Sequence, residues 1–311
     1  MKLVFCGTPA FAVPTLHALL AAGHHVALVV SQPDRPVGRH QELSAPPVKQ
    51  AALAASLPVT QPEKIRNNAA FRLQLETIAP DAIVVVAYGR IIPPWMLALP
   101  RYGCINLHAS LLPRYRGAAP IQWAVAMGET VTGNTTMLLE EGLDTGPILL
   151  RQTLAIAPEQ NATDLFTVLA EASAPLMVET LSGLASGVLQ PQPQNHALAT
   201  LAPLLSREDG RMDFATRTAA ELCNRWRGFQ PWPGAFTMLD GKKLIVHRMA
   251  VAASSAPAAL GSIRIEDHRL FVACAANTWL ELVEIQLEGK KRISAAEFLR
   301  GNLLAAGTHL G

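Results

Sequence analysis

Charge is scarce in this 311-residue chain: Asp, Glu, Lys and Arg together make up 16% of it, and the formal net charge is +2. That balance excludes a strongly basic nucleic-acid-binding chain, and with half of the residues hydrophobic it also excludes disorder. Only four cysteines occur, Cys6, Cys104, Cys223 and Cys274, and none are spaced as CxxC. A disulfide framework and a zinc site are therefore not expected, and no spaced set of histidines suggests another metal. Glycine is missing where a dinucleotide site needs it. The first strand–turn reads FCGTPAF, with Gly7 alone in place of three glycines, and no Walker-type loop is present. The opening apolar run ends at Cys6-Gly7, too short for a signal peptide or a membrane span. A cytoplasmic location without a membrane partner is expected.

What remains is a regular alternation. KLVFCG, HHVALVVSQP, PDAIVVVAYG and GCINLHAS read as strands. PAFAVPTLHALLAAG, SAPPVKQAALAASL and APIQWAVAMG read as helices between or after them. Unbroken apolar strands between helices predict an α/β domain with an open parallel sheet, covered on both faces and Rossmann-like in order. A long helical stretch from Asp164 to Gly187 follows, and then VLQPQPQNHALATLAPLLSRED loses periodicity. We place a catalytic domain at residues 1–188, a linker at 189–206 and a second domain at 207–311. The second reads as one helix and then short strands separated by Gly and Asp turns, a small OB-like β-barrel. It is also the basic part: 14 basic against 11 acidic residues, where residues 1–206 hold 12 against 13.

Candidate chemistry sits at the end of the strand CINLH. Residues two apart share a strand face, so Asn106 and His108 project together while Leu107 packs away from them. Ligands of open α/β sheets bind at carboxyl strand ends. An amide beside an imidazole there suits a carbonyl oxygen that becomes an oxyanion. A satisfied histidine and a turn-capping asparagine fit the same stretch. Downstream, EEGLDTGPIL places Asp144 between glycines, in a loop whose backbone is expected to approach a ligand closely. A carboxylate near His108 would hold the ring and favour its protonated form. A solvated acidic loop of Glu140, Glu141 and Asp144 is the alternative.

INLHASLLPRYRGAAPIQWA followed by EEGLDTG resembles the formyltetrahydrofolate-dependent formyltransferases. SQPDRPVGR, VVVAYGRIIP, PWPGAF and EGKKRISAAEFLRG narrow the likeness to the branch that formylates methionyl-tRNA, and together these blocks span nearly the whole chain. The resemblance implies transfer of a formyl group from the cosubstrate 10-formyltetrahydrofolate to the α-amine of initiator methionyl-tRNA, by a monomer, without a metal. It implies Asn106, His108 and Asp144 as the catalytic groups. Folate would lie along Ser110, Leu111, Leu112 and Pro113 and the backbone near Val86, Tyr88, Gly89 and Ile91. The transfer RNA would meet Arg39 in the loop after the second strand, and Lys242, Lys290, Lys291 and Arg292 in the second domain.

This chain departs from the family in two places. His40-Gln41-Glu42 stands where further lysines are common, and Arg90 stands where an apolar residue is common. Rival readings are a formyltransferase for a sugar-nucleotide amine, a non-catalytic tRNA- or folate-binding module, and a dehydrogenase. The PDRPVGR loop and GKKR weigh against the first, the three polar positions together against the second, and the missing glycines against the third.

Overall fold

The computed structural model describes residues 1–37, 42–302, 304 and 307–311. Arg39 lies outside the described residues. By internal contacts the chain forms two compact units. The first comprises Met1–Pro120, Val131–Ala155 and Asp164–Pro203, and the second Ile121–Thr130, Ile156–Thr163 and Leu204–Gly311. The chain thus passes between the units several times, where the sequence pattern implies a single boundary.

In the first unit, strands β1 (Lys2–Gly7), β2 (His25–Val30), β3 (Arg35–Val37), β4 (Glu42–Ser44), β5 (Val59–Thr60), β6 (Ala82–Val86), β7 (Cys104–His108), β8 (Val131–Leu138) and β9 (Ile148–Ala155) alternate with helices. Its helices are α1 (Val13–Ala21), α2 (Pro47–Ala54), α3 (Ala69–Ile78), α4 (Pro94–Leu97) and most of α6 (Ala162–Ala185), whereas α5 (Pro120–Ala126) falls almost wholly in the second unit. Seven strands form one sheet in the order β5-β2-β1-β6-β7-β8-β9, and β3 pairs with β4 as a separate ribbon. The first five are parallel; β8 runs antiparallel to β7, and β9 antiparallel to β8. The sheet is therefore mixed rather than wholly parallel. Strand β8 escapes the sequence pattern, because the middle of VTGNTTML is a polar run, TGNTT, rather than an unbroken apolar one. Thr135, Thr136 and Asn134 are nevertheless buried, each with an internal partner: Thr136 bonds Thr180, Asn134 donates to the Leu169 carbonyl, and Thr135 donates to that of Ser110.

By length and composition α6 could cross a membrane. Here it is a core helix: Leu165, Leu169, Met177 and Leu181 are buried, and Ser173 and Thr180 hydrogen-bond Thr15 and Thr136 of the same unit. After α6 the chain does not leave as a free linker. Gln192 exchanges two 2.8 Å backbone hydrogen bonds with Ile148. The Thr200 carbonyl accepts from the Arg116 amide at 2.8 Å, and the Ala202 amide donates to the Arg116 carbonyl at 2.7 Å. Residues 192–202 thus form a strap across the end of the sheet.

In the second unit, strands β10 (Phe236–Leu239), β11 (Lys242–Val251), β12 (Ile263–Glu266), β13 (Arg269–Cys274), β14 (Thr278–Leu287) and β15 (Ile293–Ser294) pair antiparallel in the order β10-β11-β14-β13-β12, with β15 on β14. Two helices, α7 (Ala219–Gly228) and α8 (Ala295–Gly301), each begin in a reciprocal capping box, Thr218 with Glu221 and Ser294 with Glu297. One core, including Leu244, Val246, Val272, Leu280, Leu282 and Phe298, holds the sheet and helices together. Helix α5 packs here through Trp123, edge-on to Phe229 with centroids 5.4 Å apart, and Arg225 lies over both rings. A side chain at Gly228 would come within 2.6 Å of the Gln122 carbonyl, so glycine permits this approach.

Candidate active site

Strand β7 lies between β6 and β8, with Asn106 opposite Val85 on one side and Met137 on the other. Asn106 is half-buried, and its side-chain amide makes no hydrogen bond with a described residue. His108 is buried, with 6% of its surface exposed, and both ring nitrogens are engaged. Nε2 is 2.8 Å from the Tyr115 carbonyl, which only accepts, so Nε2 carries a hydrogen. Nδ1 faces the Asp144 carboxylate at 3.6 Å. In this arrangement both ring nitrogens already face protein groups.

Asp144 reaches His108 from the loop between β8 and β9. Its backbone is left-handed, φ 51°. Its Oδ2 accepts from the Gly117 amide at 2.8 Å, while Oδ1 has no partner among the described residues. The neighbouring glycines answer to packing within the protein. A Cβ at Gly146 would lie 1.9 Å from the Leu138 carbonyl, and one at Gly142 would lie 2.1 Å from the Thr145 hydroxyl. The glycines of this loop are thus required by its own backbone and side chains. Glu140 accepts from Thr145 at 2.6 Å and so is not simply solvated.

The folate positions expected from sequence divide in two. Segments 86–91 and 110–113 do leave adjacent strands at the same end, since Val86 pairs with Leu107. Several of their side chains, however, are consumed internally. Ser110 donates to the Arg114 carbonyl, and Leu112 packs with Met137 and Ile148. Tyr88 is buried in the cluster with Val4, Cys6 and Ile83, where burial pushes its phenol up and away from ionisation. Val86 is likewise fully buried. Ser110, Leu112, Val86 and Tyr88 can therefore meet a ligand only through backbone atoms. Leu111 and Pro113 are half-buried, Gly89 is left-handed at φ 79°, and Ile91 is 88% exposed. Arg90 is tied down, Nε to Gln32 at 3.0 Å and Nη1 to the Glu63 carbonyl at 2.6 Å.

Two residues that sequence reasoning passes over complete the site. Arg116 and Gln194 are both buried, 78 positions apart. The Gln194 amide donates to the carbonyls of Asp144 and Gly146, each at 2.8 Å, and its oxygen accepts from Arg116 Nε and Nη2 at 3.2 and 2.6 Å. Gln194 lies in the aperiodic QPQPQNH stretch, and nothing in that composition marks one glutamine above the others.

The basic positions of the second unit meet at one sheet end. Lys242 and Lys243 open β11, and the turn after β14 carries Lys290 and Lys291; Glu288 joins the two through hydrogen bonds with the Lys243 backbone. Lys242, Lys290 and Lys291 are exposed, whereas Arg292 is ion-paired with Glu284 and Lys243 stacks on Phe236.

Residues 1–181 match the family described as Formyl transferase, and residues 204–303 its C-terminal domain. Methionyl-tRNA formyltransferases of Acidobacterium capsulatum and Koribacter versatilis are similar to the chain, at 68% identity over all of both chains and at 60% over 97% and 96% of them. Among solved structures, an N-formyltransferase from Helicobacter canadensis with folinic acid and dTDP-3-aminofucose shares the fold. It has a TM-score of 0.65 and 16% identity, over 91% of this chain and 98% of that one. A second, HypX from Aquifex aeolicus with tetrahydrofolic acid, gives 0.61 at 15% identity over 96% of this chain and 47% of that one. With both regions matched in order and such relatives along its whole length, the chain belongs to the formyltransferase family.

Proposed function

We propose that the chain transfers the formyl group of 10-formyltetrahydrofolate to the α-amine of initiator methionyl-tRNA, giving N-formylmethionyl-tRNA for translation initiation. Its place would be the cytoplasm, and its form a monomer. Relatives of that name, similar over the full length, support the substrate pair. The observation that carries the chemistry is the meeting of Asp144 with His108, 3.6 Å apart from separate segments, on the strand that presents Asn106.

An α-amine has a pKa of about 7.7–8.0, so a useful fraction is neutral near pH 7 and no side-chain nucleophile is needed. The amine attacks the formyl carbon; its N–C bond forms and the carbonyl oxygen becomes an oxyanion. The Asn106 amide, with no partner of its own among the described residues, donates to that oxygen. The His108 ring, its proton positions held between the Tyr115 carbonyl and Asp144, supplies positive charge beside it. Asp144 Oδ1 takes the proton shed by the amine. Collapse of the intermediate restores the carbonyl and breaks the bond from carbon to folate N10, which leaves with the proton that Asp144 hands on. Folate lies against the backbone of residues 110–113 and 86–91. Lys242, Lys290 and Lys291 contact tRNA phosphates, as does Arg39; Arg292 supports that patch through Glu284.

Incubation of the protein with charged initiator tRNA and 10-formyltetrahydrofolate tests the reading. N-formylmethionyl product is expected. Formylation of a dTDP-amino sugar with none of the methionyl-tRNA would replace it by the sugar-nucleotide alternative.

A further inference from the structure

We propose that Gln194, on the strap beyond the catalytic sheet, is a positioning residue that sets Asp144 for proton transfer, with Arg116 fixing the orientation of its amide. The inference deepens the formyl-transfer reading and rests on it only for its kinetic arm.

Asp144 does not hold its left-handed backbone unaided. That conformation disfavours a side chain with a Cβ, and it is kept only where the surroundings over-determine it. Two carbonyls of its loop, those of Asp144 and Gly146, point at one amide nitrogen, Gln194 Nε2, at 2.8 Å each. That nitrogen spends both hydrogens on the loop. An amide could fill the same space flipped, but Arg116 decides the matter. A guanidinium only donates, so the atom facing Nε and Nη2 must be the oxygen and the atom facing the loop the nitrogen. Arg116 is itself buried and makes no ion pair among the described residues; its Nη2 also reaches His196 Nδ1 at 3.1 Å.

The same strap grips the other side of the pair. Thr200 accepts from the Tyr115 amide through its hydroxyl at 2.9 Å and from the Arg116 amide through its carbonyl. Tyr115 offers the carbonyl that His108 uses, and Gly117 the amide that Asp144 uses. A segment some fifty residues downstream of Asp144 in sequence therefore braces both members of the His108–Asp144 pair. Gln194 touches neither a reacting atom nor the His108 ring. Its effect passes through the backbone of Asp144.

Two variants and two readouts test this. Gln194→Met removes the donors and keeps the bulk. Gln194→Glu keeps the acceptor for Arg116 and sets an oxygen against two carbonyls, so it serves if the first fails to fold. Circular dichroism establishes that each is folded. The first readout is steady-state formylation of methionyl-tRNA: kcat is expected to fall about tenfold or more, as small misplacements of catalytic groups do, with KM for the formyl donor within about threefold. The second is the amide proton resonance of Gly117 by NMR, expected to move toward its position in Asp144→Ala as the Oδ2 hydrogen bond loosens. The proposal is overturned if either readout stays at the wild-type value. If the wild-type protein formylates no methionyl-tRNA, the proposed function falls, while the Gly117 resonance still decides whether Gln194 sets Asp144.

Discussion

Replacing Asp144 by Asn isolates the carboxylate's charge from its shape. The Gly117 amide keeps an oxygen to donate to, so the 2.8 Å hydrogen bond that ties the loop to residues 115–117 survives. What changes is the side facing His108. At the observed 3.6 Å, opposite unit charges attract by about 5 kcal/mol if the effective dielectric is about 20. The Asp144 side chain is only 13% exposed, so little of that is screened by water. An amide there would instead donate to Nδ1 and hold the ring neutral, with Nε2–H still on Tyr115. The variant also loses the Oδ1 base. Not all of the attraction is expressed in the transition state. Removal of one oxyanion-stabilising group costs about 2.7–4 kcal/mol, a loss of about 100- to 1,000-fold in kcat. Single-turnover formylation of charged initiator tRNA, followed by acid-gel or chromatographic separation of formylated product, measures it. Urea midpoint and KM for the formyl donor are expected to stay near wild type. A kcat within about threefold of wild type would refute the assignment of Asp144 to the chemistry.

Asn106→Ala is expected to lower kcat by about 100-fold while folate affinity changes little, because the amide is bonded to the oxyanion and to no described residue; an equal rise in KM would show ground-state binding instead. Asp34 yields a pH prediction. Hydrogen bonds from Gln61 and then Lys49 hold its carboxyl below the usual carboxylate range. A depressed folded value means that the stabilisation is present above the unfolded value of about 3.9 and is lost as pH falls through the folded one. The stability gap between wild type and Asp34→Asn in urea should therefore shrink on acidification from about pH 5 to about pH 3; a constant gap would contradict the cause. Removing Lys290 and Lys291 together should weaken tRNA binding at low salt and reduce the salt slope by about one for each phosphate left without its lysine. An unchanged slope would move the tRNA surface elsewhere.

Strand period alone brings Asn106 and His108 to one face, and the structure keeps them on β7 at a carboxyl end. Asp144 is legible as a residue type between glycines, and the structure gives those glycines a packing reason of their own: Gly146 makes room for the Leu138 carbonyl. The family resemblance places folate against the backbone near Tyr88; that the Tyr88 ring packs into the core is decided among residues distant in sequence. The antiparallel β8 carries buried threonines whose partners lie on α6 and in the turn after β7. Without those partners its polar middle resembles an exposed segment. Arg116 and Gln194 stay hidden for the same reason. Their meeting depends on the path of the chain after α6, and no local pattern records an encounter across 78 positions.

The strap also bears on how such proteins can be recombined. A hybrid spliced at residue 188 would inherit every polar group that the strand end and the β8–β9 loop display, with each identity correct. It would forfeit the hydrogen bonds that Gln194 and Ala202 donate and Thr200 accepts unless the donor segment happened to restore them. A junction placed after Pro203, where the first unit's last segment closes, carries the brace along with what it braces. Domain swaps within this family should thus tolerate exchange there and punish it about fifteen residues earlier, even though the earlier cut disturbs no helix and no strand.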